Sequence, residues 1–189
     1  MAATRKFRRL GRRLRRDQGV ALIEFAVTLP FMVVLVVGIF DFGSAFNLKQ
    51  KLTAAAQAGA RFAATLPTND LASAGTPNSV ISVRNVIDDY LTAQQVSDCG
   101  LLRSAGTPSG NMTWTFQGST QCPATFTLSI ERSYGLAAGG ASNTNLITTR
   151  ISISYPYSFY FGRVSGLLPN GFRLGVGQIG TDAIEPNMD

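Results

Sequence analysis

The sequence predicts an α+β fold in which a long amino-terminal helix, membrane-embedded over its first part and continuing outside, packs on a small antiparallel sheet with one further helix. Three observations carry the prediction. An apolar run from Val20 to Phe40 follows a cluster of basic residues. Apolar and small residues then recur at steps of three and four as far as Leu66. Beyond Gly100 the pattern changes to alternating, β-rich segments separated by glycine-rich turns.

The leader comes first. Of the 17 Lys and Arg residues, eight (Arg5, Lys6, Arg8, Arg9, Arg12, Arg13, Arg15 and Arg16) precede Gly19, opposed only by Asp17, so the net charge of +6 belongs to the leader and the rest of the chain is nearly neutral. Cations abutting an apolar run follow the positive-inside rule and favour anionic lipid, and we expect no nucleic-acid partner. Phe7, Leu10 and Leu14 allow a short amphipathic turn on the inner leaflet, and a solvated charged tail is the equal alternative.

Val20 to Phe40 is a run of 21 residues whose only polar side chains are Glu24 and Thr28, with Pro30 inside. At helical rise it spans about 32 Å, enough for a bilayer core of about 30 Å. A cleaved secretory signal would have a shorter apolar region and a small-residue site at its far end, whereas this run ends Gly38-Ile39-Phe40-Asp41-Phe42. The expected division is a basic cytoplasmic leader (1–19), a membrane helix (20–40), its extramembrane continuation (41–66) and an α+β domain (67–189) facing the periplasm or exterior.

Ala45, Leu48, Leu52, Ala55, Gly59, Phe62 and Leu66 extend the helix, and Pro67, Thr68 and Asn69 stop it. Pro30 is expected to kink or locally melt it. Ala55, Gly59 and Ala63 form a small-residue face that lets another backbone approach closely, either on a neighbouring subunit or on the chain's own globular part. A polar loop over 68–78 precedes a second helix, capped by Ser79, with Val80, Val83, Ile87 and Leu91 inward and Arg84, Asp88 and Asp89 in solvent. Strands are expected over 112–117, 125–133 and 147–161, with a weaker one over 176–184 and turns over 135–140 and 162–171. In the third strand Ile151, Ile153 and Tyr155 share a face, and Pro156 demands an edge, a bulge or a break. Strand order is not readable.

Cys99 and Cys122 lie beyond the membrane segment, where an oxidising compartment favours a bridge worth about 3 kcal/mol; two buried free thiols are the alternative. The chain has no histidine, which excludes histidine-dependent triads and imidazole metal sites, and two cysteines cannot make a structural zinc site. Asp88 and Asp89 point about 100° apart on a helix and do not converge. No phosphate-binding or dinucleotide glycine motif is present. Asn111-Met112-Thr113 matches the glycosylation pattern, too short a motif to carry weight. We expect no enzyme activity, no metal and no cofactor.

The remaining anomaly is Glu24, a carboxylate near the start of a lipid-ready helix, where an uncompensated charge is costly and marks function. Gly19, four apolar residues, Glu24 and Phe25 together resemble the type IV prepilin cleavage signal, in the Glu-Phe form of the tight-adherence (Tad, or Flp) pili. Gly19 through Pro30, then Gly38-Ile39-Phe40-Asp41-Phe42-Gly43, then Ala58-Gly59-Ala60-Arg61, are similar to the TadE-like pseudopilins, or minor pilins, of those systems.

The resemblance covers about residues 17–64. It implies cleavage between Gly19 and Val20 by a prepilin peptidase, and a Glu24 that meets the new α-amino group of a neighbouring subunit, with Phe25 beside it. The implied partners are that peptidase, other pilin-like subunits with their assembly machinery, and inner-membrane lipid. The implied fold is pilin-like, with the carboxy-terminal domain in the periplasm or on an extracellular pilus. Two alternatives stand beside this reading. Glu24 could snorkel at the end of an ordinary anchor, and the chain could be a signal-anchored envelope protein whose outer domain binds a ligand without entering a filament.

Overall fold

A computed structural model of the chain describes residues 3–72, 75–137, 145–160 and 176–188. The first element, α1, runs Ala3–Ala64 without a break at Gly19 or at Pro30. It therefore begins well before Val20, and its end falls two residues short of Leu66. There the last turn tightens, with the N–H groups of Thr65 and Leu66 donating to the carbonyls of Phe62 and Ala63 at 3.1 Å. Within the helix, Pro30 removes the N–H that would serve the Ala26 carbonyl. One turn earlier, Thr28 Oγ1 donates to the Glu24 and Phe25 carbonyls at 3.0 and 3.2 Å.

The second helix, α2 (Asn78–Ala93), buries Val80, Val83, Ile87 and Leu91 at the anticipated spacing. Its cap differs from the expected one. Pro77 occupies the N-cap position, and the acceptor comes from Asp70 in the preceding loop, whose two carboxylate oxygens receive the Ser79 N–H and Oγ–H, both at 2.8 Å. Asp88 also departs from expectation: it is buried, whereas Asp89 is exposed.

A 3₁₀ turn (Leu101–Arg103) leads into what are, among the described residues, five strands: β1 (Thr107–Pro108), β2 (Thr113–Gly118), β3 (Phe126–Ala137), β4 (Asn145–Ser158) and β5 (Val176–Pro186). They form one antiparallel sheet in the order β1-β2-β3-β4-β5, an up-and-down meander, so the fold is α+β. The two-residue β1 was not anticipated. Gly135 lies inside β3 rather than in a turn. The rest of that turn beyond Ala137, and the turn expected over 162–171, fall outside the described residues.

Period-two alternation gives the sheet an apolar face of Phe116, Phe126, Leu128, Ile130, Ile151 and Ile153, all fully buried. The helices cover that face. α1 lies over β4 and β5, α2 packs against α1, and the Arg84 guanidinium of α2 sits 5.5 Å from the Phe116 ring centroid. Pro156 is accommodated because the β3 to β4 pairing ends at Thr127↔Ser154, so beyond that point β4 has β5 as its neighbour and is locally an edge.

Candidate functional site

The residues singled out by sequence occupy two places on α1. Gly19, Val20, Glu24 and Phe25 lie on its lower part. Val20 and Phe25 are 54% and 59% exposed, and a Cβ built on Gly19 would meet nothing within 4 Å. The Glu24 side chain is exposed, and among the described residues it makes no hydrogen bond or ion pair. The helix is long and apolar enough to cross a membrane, and none of its most apolar 18-residue stretch is buried. These side chains thus face outward as a group, with a lone carboxylate among them.

Ala55, Gly59 and Ala63 lie on the upper part and point the other way. All three are buried within the chain itself. A Cβ added to Gly59 would come within 2.6 Å of Ile87 Cγ1 and 3.0 Å of Ile151 Cδ1. At this point α1, α2 and β4 meet, and only a residue without a side chain fits. Of the two uses open to the small-residue face, the structure displays the contact with the chain's own domain.

Sequence reasoning missed two residues that join helix to domain. Arg132 of β3 is fully buried, yet it occupies an inward position after Leu128 and Ile130. Alternation puts it there, and a bulge begins at the same place: between Glu131↔Arg150 and Tyr134↔Thr148, two residues of β3 oppose one of β4. The guanidinium donates from Nη1 to the Ala63 carbonyl at 2.6 Å and from Nη2 to the Leu66 carbonyl at 2.9 Å. A cation at the negative end of the helix dipole thereby satisfies the Leu66 carbonyl and adds a second donor to the Ala63 carbonyl, which also accepts the Leu66 N–H. The Met188 N–H serves Ala64 in the same way, at 3.1 Å. The available signal was an arginine at an inward position of an alternating strand.

The second is Asp41, buried where the apolar run ends. Its Oδ1 accepts the Tyr160 N–H at 3.0 Å, and the Tyr157 hydroxyl lies 3.4 Å from Oδ1 and 3.3 Å from the Asp41 carbonyl. Burial, and secondarily the Asp41 charge, push the Tyr157 hydroxyl above its ordinary pKa. The tether is thus a neutral donor on a carboxylate.

The domain's remaining chemistry is sparse. Cys99 and Cys122 are joined by a disulfide, with Cα atoms 5.5 Å apart. Burial raises Asp88 to about 6, reinforced by the neighbouring charges of Asp98 and Asp89 and partly offset by Arg84. Its Oδ1 is buried without a hydrogen-bond partner. Among the described residues no group of three or more His, Cys, Asp or Glu side chains is placed to hold a metal.

A groove of about 680 Å³ lies between the outer part of α1 (Phe40, Ser44, Asn47, Lys51) and the domain (Val96, Tyr155). Lys51 spends a donor on the Gln94 carbonyl at 2.9 Å. Among the described residues that line it, no side-chain hydrogen bond joins an acid to a base.

No curated protein and no solved structure matches the chain. The segment that contains Gly19, Glu24, Asp41 and Gly59 does have a counterpart: residues 19–61 match the family model TadE, described as TadE-like protein.

Proposed function

We propose that the protein is a non-enzymatic minor pilin or pseudopilin that takes part in assembling a Tad/Flp-type pilus. The observation that carries the reading is Glu24. It is a single carboxylate on an outward-facing apolar helix, four residues beyond the first residue after Gly19, in a segment that matches the TadE-like family. In a low-dielectric surrounding an unpaired carboxylate is heavily penalised, so it demands a partner the chain does not supply among its described residues.

A prepilin peptidase at the cytoplasmic face hydrolyses the peptide bond between Gly19 and Val20. Glycine weakens the helix at that bond by about 1 kcal/mol relative to alanine and crowds nothing around it. Cleavage removes the cationic leader and leaves an α-ammonium group on Val20. Glu24 of one subunit then pairs with that group on its neighbour, fixing register before the subunits leave the bilayer. Before processing, the leader holds the amino terminus at the cytoplasmic side of the inner membrane, with the α+β domain in the periplasm.

The experiment is mass spectrometry of the mature amino terminus in cells with and without a prepilin peptidase. A start at Val20 that depends on the peptidase is expected. Gly19→Ala retains the leader, while Glu24→Ala is processed normally but fails to enter assemblies. A start at Met1 in the presence of the peptidase overturns the reading in favour of a simple anchored envelope protein.

A further inference from the structure

We propose that the end of β4 and the residues after it, Tyr157 to Tyr160, form a membrane-contacting tip seated in the headgroup layer of the bilayer that α1 crosses, on its outward-facing side. This rests on the reading of Val20 to Phe40 as the membrane-spanning segment.

Position is the first argument. The apolar run ends at Phe40, and the next residue, Asp41, holds the tip through the Tyr160 N–H and the Tyr157 hydroxyl. The tip therefore lies at the level where the helix leaves the hydrocarbon. The interfacial layer there is about 5–7 Å deep on each side of the bilayer, so a strand end hydrogen-bonded to residue 41 is inside it.

Composition is the second. Asp41 is 3% exposed, whereas Phe40 and Phe42 on either side are 73% and 75% exposed, and Tyr160 is 61% exposed. Tyr157 and Phe159 stack edge to face with ring centroids 4.9 Å apart. Aromatic rings thus gather around the helix at one level, the distribution that partitions to a membrane–water interface. Residues 157–160 (Tyr-Ser-Phe-Tyr) carry no charge. The contact is therefore with the carbonyl and glycerol layer rather than with anionic headgroups, and zwitterionic lipid suffices.

Rigidity is the third. β5 pairs with β4 as far as Ser158↔Val176, so the strand is held by the sheet almost to its end. The Asp41 bonds fix that end to the helix. The outer domain accordingly sits on the membrane instead of standing above it on a helical stalk.

The test uses the full chain in zwitterionic vesicles whose lipids carry bromine either near the carbonyl end of the acyl chains or near their terminal methyl. The wild type, with Trp114 buried in the domain, supplies the baseline. Tyr160→Trp and Phe40→Trp are both expected to lose emission relative to that baseline with the shallow bromines, and Tyr160→Trp to be unaffected by the deep ones. Adding Asp41→Ala to Tyr160→Trp should abolish the shallow quenching. Quenching at position 40 without quenching at 160 overturns the tip contact and leaves the span intact. Quenching at neither position overturns the span itself, and quenching at 160 that persists without Asp41 overturns the tether.

Discussion

The two ends of α1 solve opposite problems with one helix. Below Asp41 it carries Leu, Ile, Val, Phe and Met that are largely exposed, and among the described residues none of them is buried. Above Leu48 it carries Leu52, Ala55, Ala56, Ala60 and Ala63, all fully buried. Where the surroundings are lipid, large side chains are wanted and close approach is not. Where the surroundings are a sheet and a second helix, small side chains let three elements meet. Apolarity is common to both halves; side-chain size distinguishes them.

The largest effect expected from breaking this arrangement is at Arg132. Arg132→Ala leaves the Leu66 carbonyl without its donor and the Ala63 carbonyl with only the Leu66 N–H, and should destabilise the outer domain by about 2–3 kcal/mol, given 1–3 kcal/mol for an orphaned group and a smaller loss at the other. Urea unfolding followed by Trp114 fluorescence measures it, and a loss within 1 kcal/mol would mean that the helix end does not depend on the guanidinium.

A matched pair of substitutions then compares the halves directly. Gly59→Ala forces a Cβ to within 2.6 Å of Ile87, and the buried Ile87 has little room to yield. After the gain in helix propensity, a net loss of about 1–2 kcal/mol is expected. Gly38→Ala, with nothing within 4 Å of the new atom, should leave the domain's unfolding midpoint unchanged. Equal midpoints for the two variants would erase the distinction between the halves.

The smallest effect is pH-dependent. Asp88 holds its proton to about pH 6 in the folded domain, against an ordinary value of 3.8. The folded state binds the proton more tightly than the unfolded one. Its contribution is therefore full below about pH 4 and is lost as pH rises through about 6. Asp88→Asn should flatten this slope and stabilise the domain by about 1–2 kcal/mol at pH 7.5, read as the difference between variant and wild-type unfolding across pH 3.5–8. A slope that survives the substitution assigns it to another group.

Most elements were legible because their periodicity survives in local sequence. The stripe from Ala45 to Leu66 anticipates α1, and Val80, Val83, Ile87 and Leu91 anticipate α2. Alternation over 125–133 anticipates β3, and Ile151, Ile153 and Tyr155 anticipate β4 with its buried face. The position of Glu24 inside an apolar run is likewise visible in the sequence, since it needs no fold to be seen.

Partnerships between distant residues were not legible. Asp70, rather than Ser79, caps α2 because the loop folds back over nine residues. Asp88 is buried where helical phase alone suggested solvent, because Asp98 and the chain after α2 close over it.

The sequence by itself therefore determined where the long apolar run lies, which segments are helix or strand, and where its carboxylate and the two cysteines fall. These follow from periods of 3.6 and 2.0 and from hydropathy, which are local properties. Tertiary structure decided the meander order of the strands, the inward use of Ala55, Gly59 and Ala63, and the fastening of the outer domain at Arg132 and Asp41. Each of these joins residues far apart in the chain: Arg132 lies 69 residues from Ala63, and Tyr157 lies 116 from Asp41. No local pattern encodes which distant carbonyl or carboxylate a buried donor will find.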